Sequence, residues 1–259
     1  MSDGTMTPHL VLAVEGPVAT LTFARPEKSN AYYLPMLRAL DAGIRRVSED
    51  ATIRVLVLRG EGKHFSAGHD LSDDTPGKEN DPGLADVCLR LSSLPKPTVA
   101  VVQGACIGGA MAFVTCCDIV IAADNAFFAM PEVRIGFSPT PLIPFMLQAV
   151  GERQARRLLM SGARIGADEA LRIGLASEVC APETIEQALA DTLTALLQSA
   201  PGAVATVKAQ VARLRQPAAT PELLAELQRG FDAAWDSAEA AEGRAAMRDK
   251  RSPNWAVKP

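Results

Sequence analysis

The sequence predicts an α/β fold whose layered core gives way to a purely helical C-terminal region. Short apolar, β-branched runs alternate with helix-period segments through roughly the first half of the chain. From Pro141 onward the patterns are helical only. Between these parts, residues 97–117 carry no charge, which by length alone suggests a membrane-spanning helix. Gly104, Gly108 and Gly109 break that stretch into a β-branched strand, a glycine-bearing loop and a helix apolar on every side, the pattern of a buried core.

Taken in order, residues 10–14 and 18–24 are apolar runs separated by Glu15-Gly16-Pro17, which predicts a hairpin. The polar run RPEKSN at 25–30 leads into a helix over 34–48, with Leu34, Leu37, Leu40 and Ile44 on one face. RVLVLR at 54–59 reads as a buried strand flanked by charge, and 60–68 as a turn. Residues 73–82, polar and rich in proline and glycine, read as a mobile loop before a short helix at 84–94. Residues 98–102 form the predicted buried strand, and 110–117 the core helix. Two short strands, 119–123 and 126–129, are joined by Asp124-Asn125. Helices are predicted at 142–150, 152–160 and 167–173, then longer ones at 182–197, 201–214 and 221 to about 250. In the first and third of these longer helices, proline near the start and acids in the first turn support the assignment. Residues 217–220 are the best boundary by composition, and no fixed-period repeat is visible.

With 259 residues, 48% hydrophobic and 22% charged, the chain fits one large domain or a core with an appendage. A formal charge of −4 argues against general nucleic-acid binding while leaving room for a local basic patch. Residues 1–8 lack the basic start and apolar run of a signal peptide. Five cysteines, Cys88, Cys106, Cys116, Cys117 and Cys180, are odd in number and two are adjacent. This predicts buried thiols in a reducing cytoplasm rather than a disulfide framework. His9, His64 and His69 form no metal-ligand spacing with them, so no metal is expected.

Chemistry is expected at three places: FSAGHDL at 65–71, residues 104–112, and FAMPEVRIG at 128–136. The first two are glycine-bearing loops after buried strands, and neither is a dinucleotide or P-loop fingerprint. Amides at Gly108 and Gly109 would open a helix, where unpaired donors suit a negatively charged oxygen. On residues alone the reading ends at an α/β enzyme with two backbone-donor loops, or at glycines that merely pack a tight core.

The phrases RPEKSNA at 25–31, FSAGHDL, QGACIGGA at 103–110, CDIVIA at 117–122, FAMPEVRIG and ADEALRIGL at 167–175 occur in one order along the whole chain. In this it resembles the enoyl-CoA hydratase/isomerase (crotonase) superfamily. The resemblance implies a crotonase-like spiral of ββα units over residues 1–200. Residues 201–259 would be a helical region for trimerisation and closure of the coenzyme A site. It implies a homotrimer or dimer of trimers in the cytoplasm, with no nucleic-acid or membrane partner. A coenzyme A thioester would be the substrate, with no other cofactor.

By position, the enolate of that thioester would be held by the backbone N–H groups of His69 and Gly109. Enzymes of the family that use two glutamates match Glu132 for the second, whereas the first falls at Ala112. Glu132 is therefore expected to be the sole general acid/base. Hydration of a 2-enoyl-CoA is the leading expectation, as in single-glutamate hydratases of the family. Δ3-Δ2 isomerisation comes next, then acyl-CoA binding without catalysis. Ser66, Ala67, Gly68 and Asp70 fall along the coenzyme A path, with Arg25 and Lys28 toward its phosphates. Arg248, Lys250, Arg251 and Trp255 resemble the family's terminal basic-aromatic segment. Ser138-Pro139-Thr140-Pro141 replaces the usual glycine-rich phrase, which should stiffen the pocket wall.

Overall fold

Gly16, at φ 55°, turns the chain between β2 (Leu10–Glu15) and β3 (Val18–Phe23), which pair antiparallel as the predicted hairpin. A short β1 (Gly4–Thr7) precedes them and pairs antiparallel with β2. In this computed structural model, residues 4–7, 9–70, 72–73, 75, 78, 81–135, 139–214, 238, 241–242, 245–246 and 249–254 are described.

From β3 onward every strand of the main sheet is laid down parallel to the one before. α1 (Leu34–Glu49) connects β3 to β4 (Val55–Gly60), and α2 (Leu84–Ser93) connects β4 to β5 (Thr98–Val102). The next turn runs through β6 (Ala105–Ile107) and α3 (Gly109–Thr115) to β7 (Ile119–Ala123). Another runs through β8 (Phe127–Ala129), α4 (Ile143–Ser161), β9 (Ile165–Gly166) and α5 (Ala167–Arg172) to β10 (Glu178–Cys180). The main sheet has the order β1-β2-β3-β4-β5-β7-β10, and β6-β8-β9 form a second, smaller sheet. Successive turns thus add one strand to the main sheet, and the later turns also build the small sheet, the first with β6 and the next with β8 and β9. This is the spiral that the resemblance implied.

The main sheet is covered on both faces, which is why β4 and β5 are apolar without alternation. One face packs on the inner helices through Met36, Leu40, Ile44, Val87 and Phe113. The other packs Val55, Val57, Val99, Val101 and Ile121 against Ile185, Leu189, Leu193 and Leu197 of α6 (Ile185–Leu197). The last helix described along its length, α7 (Pro201–Arg213), is tied to the core by Lys208, whose Nζ donates to Asp118 at 2.7 Å and to Lys96 O at 3.0 Å. All five cysteines are free thiols, with Cys88, Cys106 and Cys116 buried and the other two half-buried.

The uncharged stretch 97–117 is β5, β6 and α3, and among the described residues no helix is long and apolar enough to cross a membrane. β6 is three residues in a stretch expected to be loop, too short to show a period. The two strands joined by Asp124-Asn125 are present as expected, and they lie in different sheets, β7 in the main sheet and β8 paired with β6. The two helices expected on either side of Gly151 are present as the two parts of α4, separated by the kink at that residue, φ 73° and ψ 164°. Described residues of 73–82 are tethered to α1. The Leu34 N–H donates to Asp73 at 2.9 Å, and Arg38 Nε to Asp81 at 2.6 Å. The Arg38 hydrogen bond pulls the Asp81 carboxyl down to about 2. The boundary expected at 217–220 and most of the helix expected over 221–250 lie outside the described residues.

Candidate active site

Asn30 anchors the first donor loop. It is fully buried; its Oδ1 accepts from Arg25 N–H at 2.8 Å, and its Nδ2 donates to Glu61 O and His64 O at 2.8 and 2.7 Å. One side chain thereby ties segment 25–30 to the turn after β4. Asn30→Ala would strand two carbonyls and an N–H, each costly to bury unpaired. It is expected to lower stability by about 3 kcal/mol, read as a lower urea midpoint. Ser66, also fully buried, bridges to Cys106 of β6. Its Oγ donates to Asn30 O at 2.7 Å and accepts from Gly68 N–H at 3.2 Å.

Three residues further on, His69 forms a parallel bridge with Tyr32. Tyr32 N–H donates to Gly68 O, and Asp70 N–H donates to Tyr32 O, both at 2.8 Å. In a parallel bridge the residue between those two bonds turns its own N–H the other way. The His69 N–H accordingly has no acceptor among the described residues. Gly109 supplies the second donor. Gly108, at φ 57°, turns the chain from β6 into α3, its N–H donating to Ala129 O at 2.8 Å. Gly109 is the first residue of that helix, so its N–H has no intrahelical acceptor. The two loops touch backbone to backbone. A β-carbon on Gly68 would lie 2.6 Å from Ile107 O and 3.8 Å from the Gly108 α-carbon.

Glu132 follows Pro131 and opens a short 3₁₀ turn, Glu132–Ile135. Its side chain lies over the same glycine turn, because a β-carbon on Gly108 would be 2.9 Å from Oε1. Only 7% of the residue is exposed, and Oε2 is buried with no hydrogen-bond partner. Burial disfavours the carboxylate and pushes its pKa up. One acid therefore lies over the turn between two loops whose His69 and Gly109 N–H groups have no acceptor among the described residues, a layout suited to moving a proton next to a developing oxyanion. Tyr32 was not anticipated as a site residue. Its ring lies 5.5 Å from that of His69 and 5.4 Å from Phe113, centre to centre, and its hydroxyl packs on Gly109. Only its place beside Asn30-Ala31 in the RPEKSNA phrase hinted at it.

A sequence model of the enoyl-CoA hydratase/isomerase family matches residues 13–258. The chain belongs to that family. It is 32% identical to the carnitinyl-CoA dehydratase of Salmonella arizonae, over 96% of this chain and 99% of that one. It is 33% identical to the short-chain-enoyl-CoA hydratase of Clostridium acetobutylicum, over 79% and 81%. A crystal structure of an enoyl-CoA hydratase/isomerase from Marinobacter aquaeolei superposes with a TM-score of 0.88 at 32% identity, covering 97% of this chain and all of that one. The protein is thus an acyl-CoA enzyme of the crotonase type, a hydro-lyase or an isomerase.

Within this crotonase-type enzyme, several residues expected to touch coenzyme A have side chains committed elsewhere. Arg25 donates to Asp70 at 2.8 Å and to Ala31 O at 3.1 Å, lies over the Tyr33 ring at 4.9 Å, and is 15% exposed. It braces the loop instead of standing free for a phosphate. The Ser72 hydroxyl and then Arg25 hold the Asp70 carboxyl well below the usual carboxylate range. Ser66 has no exposed surface, so its contribution is to shape the loop. Ala67 N–H donates to Ser29 O at 2.9 Å, and Gly68 supplies the close backbone contact. Lys28 and Lys250 are exposed, whereas Arg251 pairs with Glu242 at 2.6 Å. Arg248 and Trp255 lie outside the described residues. Ala112 has no exposed surface and brings no acid to the site.

Proposed function

We propose that this enzyme hydrates a 2-enoyl-CoA to the 3-hydroxyacyl-CoA. Glu132 would act as sole general acid/base, and the N–H groups of His69 and Gly109 as the oxyanion hole. The observation that carries the reading is the Glu132 carboxyl, its Oε2 buried and unpartnered, lying over the turn that presents the Gly109 amide. The thioester oxygen accepts from both amides. The Glu132 carboxylate takes a proton from water as the water oxygen bonds to C3, and the C2–C3 π electrons move onto the thioester oxygen as an enolate. The enolate then re-forms the carbonyl while C2 takes the proton from Glu132. The acid returns to carboxylate, and H and OH have been added across the double bond. Each backbone donor is worth about 3 kcal/mol in such a transition state. A pKa raised by burial brings Glu132 nearer to working pH, where proton transfer in both directions is efficient. The thioester is the substrate and no further cofactor enters these steps.

Hydratase and dehydratase names among the relatives support this direction of chemistry. Isomerisation of a 3-enoyl-CoA is the second reading, favoured by Ala112, because one carboxylate suffices to move a proton between two carbons. Offering crotonyl-CoA and a 3-enoyl-CoA separately tests both. Loss of the conjugated-thioester absorbance from the first supports hydration. Gain of that absorbance from the second, with crotonyl-CoA untouched, overturns hydration in favour of isomerisation. Tight binding of both without turnover points to a non-catalytic acyl-CoA binder. For assembly, a homotrimer or dimer of trimers is proposed, with exposed Val207 and Val211 of α7 as support.

A further inference from the structure

We propose that the Tyr32 phenol is a second catalytic group, which holds the reacting oxygen against Glu132: water as it adds to C3, the 3-hydroxyl as it leaves. The inference rests on the hydratase reading above and goes beyond it by naming what stands opposite the single acid.

Tyr32 is placed by the same two hydrogen bonds that orient His69, so its phenol is fixed relative to one oxyanion donor. The ring is clamped between His69 and Phe113. The hydroxyl is set against Gly109 and beside Leu84, since a β-carbon on that glycine would overlap both. Only 4% of the residue is exposed, yet its hydroxyl has no hydrogen-bond partner among the described residues. The neighbouring Tyr33 differs, its hydroxyl meeting His9 Nδ1 at 2.9 Å. The Tyr32 hydroxyl oxygen is not among the fully enclosed unpartnered atoms, so it keeps an open side on which a ligand oxygen can meet it.

Glu132 Oε2 is the other unpartnered polar atom of this site. The two residues flank consecutive glycines, Glu132 over Gly108 and Tyr32 over Gly109. One oxygen between them would answer both, accepting from the phenol and donating to the carboxylate. That is the hydrogen-bonding state of a water about to lose a proton to Glu132. The phenol stays protonated and able to donate, since burial first, and then Cys88 and Glu132, push its pKa up. Gly109, Ala112 and Phe113 share one face of α3, and Tyr32 packs on two of the three. The hydroxyl therefore reaches, from the segment before α1, the helix face on which Ala112 offers no acid. A group that holds an oxygen serves hydration, and carbon-to-carbon proton transfer has no use for it.

Tyr32→Phe removes the hydroxyl and keeps the ring. The experiment compares hydration of crotonyl-CoA with exchange of the C2 hydrogens of butyryl-CoA for solvent deuterium, which needs the enolate and Glu132 but no reacting oxygen. The variant is expected to lose about 10- to 100-fold in hydration kcat, with KM and the exchange rate within about twofold of wild type. Hydration at the wild-type rate overturns the proposal. So does an equal loss in both reactions, which would make Tyr32 a structural residue. If wild type exchanges C2 hydrogens but does not hydrate crotonyl-CoA, the hydratase reading fails and takes this one with it, an outcome distinct from the others.

Discussion

Glu132→Gln is expected to lower hydration turnover by about 10²- to 10⁴-fold, the usual contribution of a positioned acid/base, and to make the folded protein more stable at neutral pH. The first effect follows because the amide neither accepts nor returns the proton. The second follows from burial, which raises the folded-state pKa of Glu132 above that of the unfolded chain. A carboxyl shifted that way costs nothing while protonated in both states. Its stabilising contribution, present at low pH, is lost as pH rises through the folded-state value and the buried group must ionise. Glutamine escapes that loss. The gap in thermal midpoint between variant and wild type should therefore open as pH rises from acid to neutral and close again at acid pH. Turnover unchanged by the substitution would remove Glu132 from the mechanism. A variant less stable than wild type at neutral pH would show that burial is not what governs this carboxyl.

Gly68→Ala is expected to cost about 3 kcal/mol of stability and at least a factor of about ten in turnover. Gly68 sits at φ 93°, a conformation disfavoured for any residue with a β-carbon, and the added carbon would lie 2.6 Å from Ile107 O. That oxygen belongs to backbone in the small sheet and cannot swing aside. Relief must come from moving the segment that presents the His69 N–H, so stability and catalysis fall together. Gly16→Ala is the comparison: φ is 55° but nothing lies within 4 Å of the added carbon, so only the backbone strain, about 1 kcal/mol, is expected. Equal denaturation midpoints for the two variants would refute the close-contact argument.

Much of the fold was legible because β4, β5, α1 and α6 carry enough residues to show a period or an unbroken apolar run. β6, β9 and β10 span three, two and three residues, below any period, and their pairing is decided by which distant strand lies alongside. In the site, two glycine loops were visible as backbone donors, but the assignments to His69, Gly109 and Glu132 came through the family resemblance. Arg25 shows the limit of residue type. An arginine in a polar loop reads as a phosphate ligand, and nothing local reveals that Asp70 is folded against it. Tyr32 was less visible still, an aromatic just ahead of a helix that reads as apolar filling. Only the bridge to His69 brings its hydroxyl onto Gly109.

The spiral has a consequence for how such a protein changes over time. His69 follows β4, Gly109 follows β5 and β6, and Glu132 follows β7 and β8, so each group is supplied by the same part of a successive turn. All three lie beyond the carboxyl ends of parallel strands. The connections that re-enter the main sheet, at residues 50–54, 94–97 and 173–177, gather at the opposite rim. One rim of the molecule carries the reacting groups, while the other carries anchors of the core such as Ile53, Leu94 and Leu175, so a change there is felt as stability before it is felt by the reacting atoms.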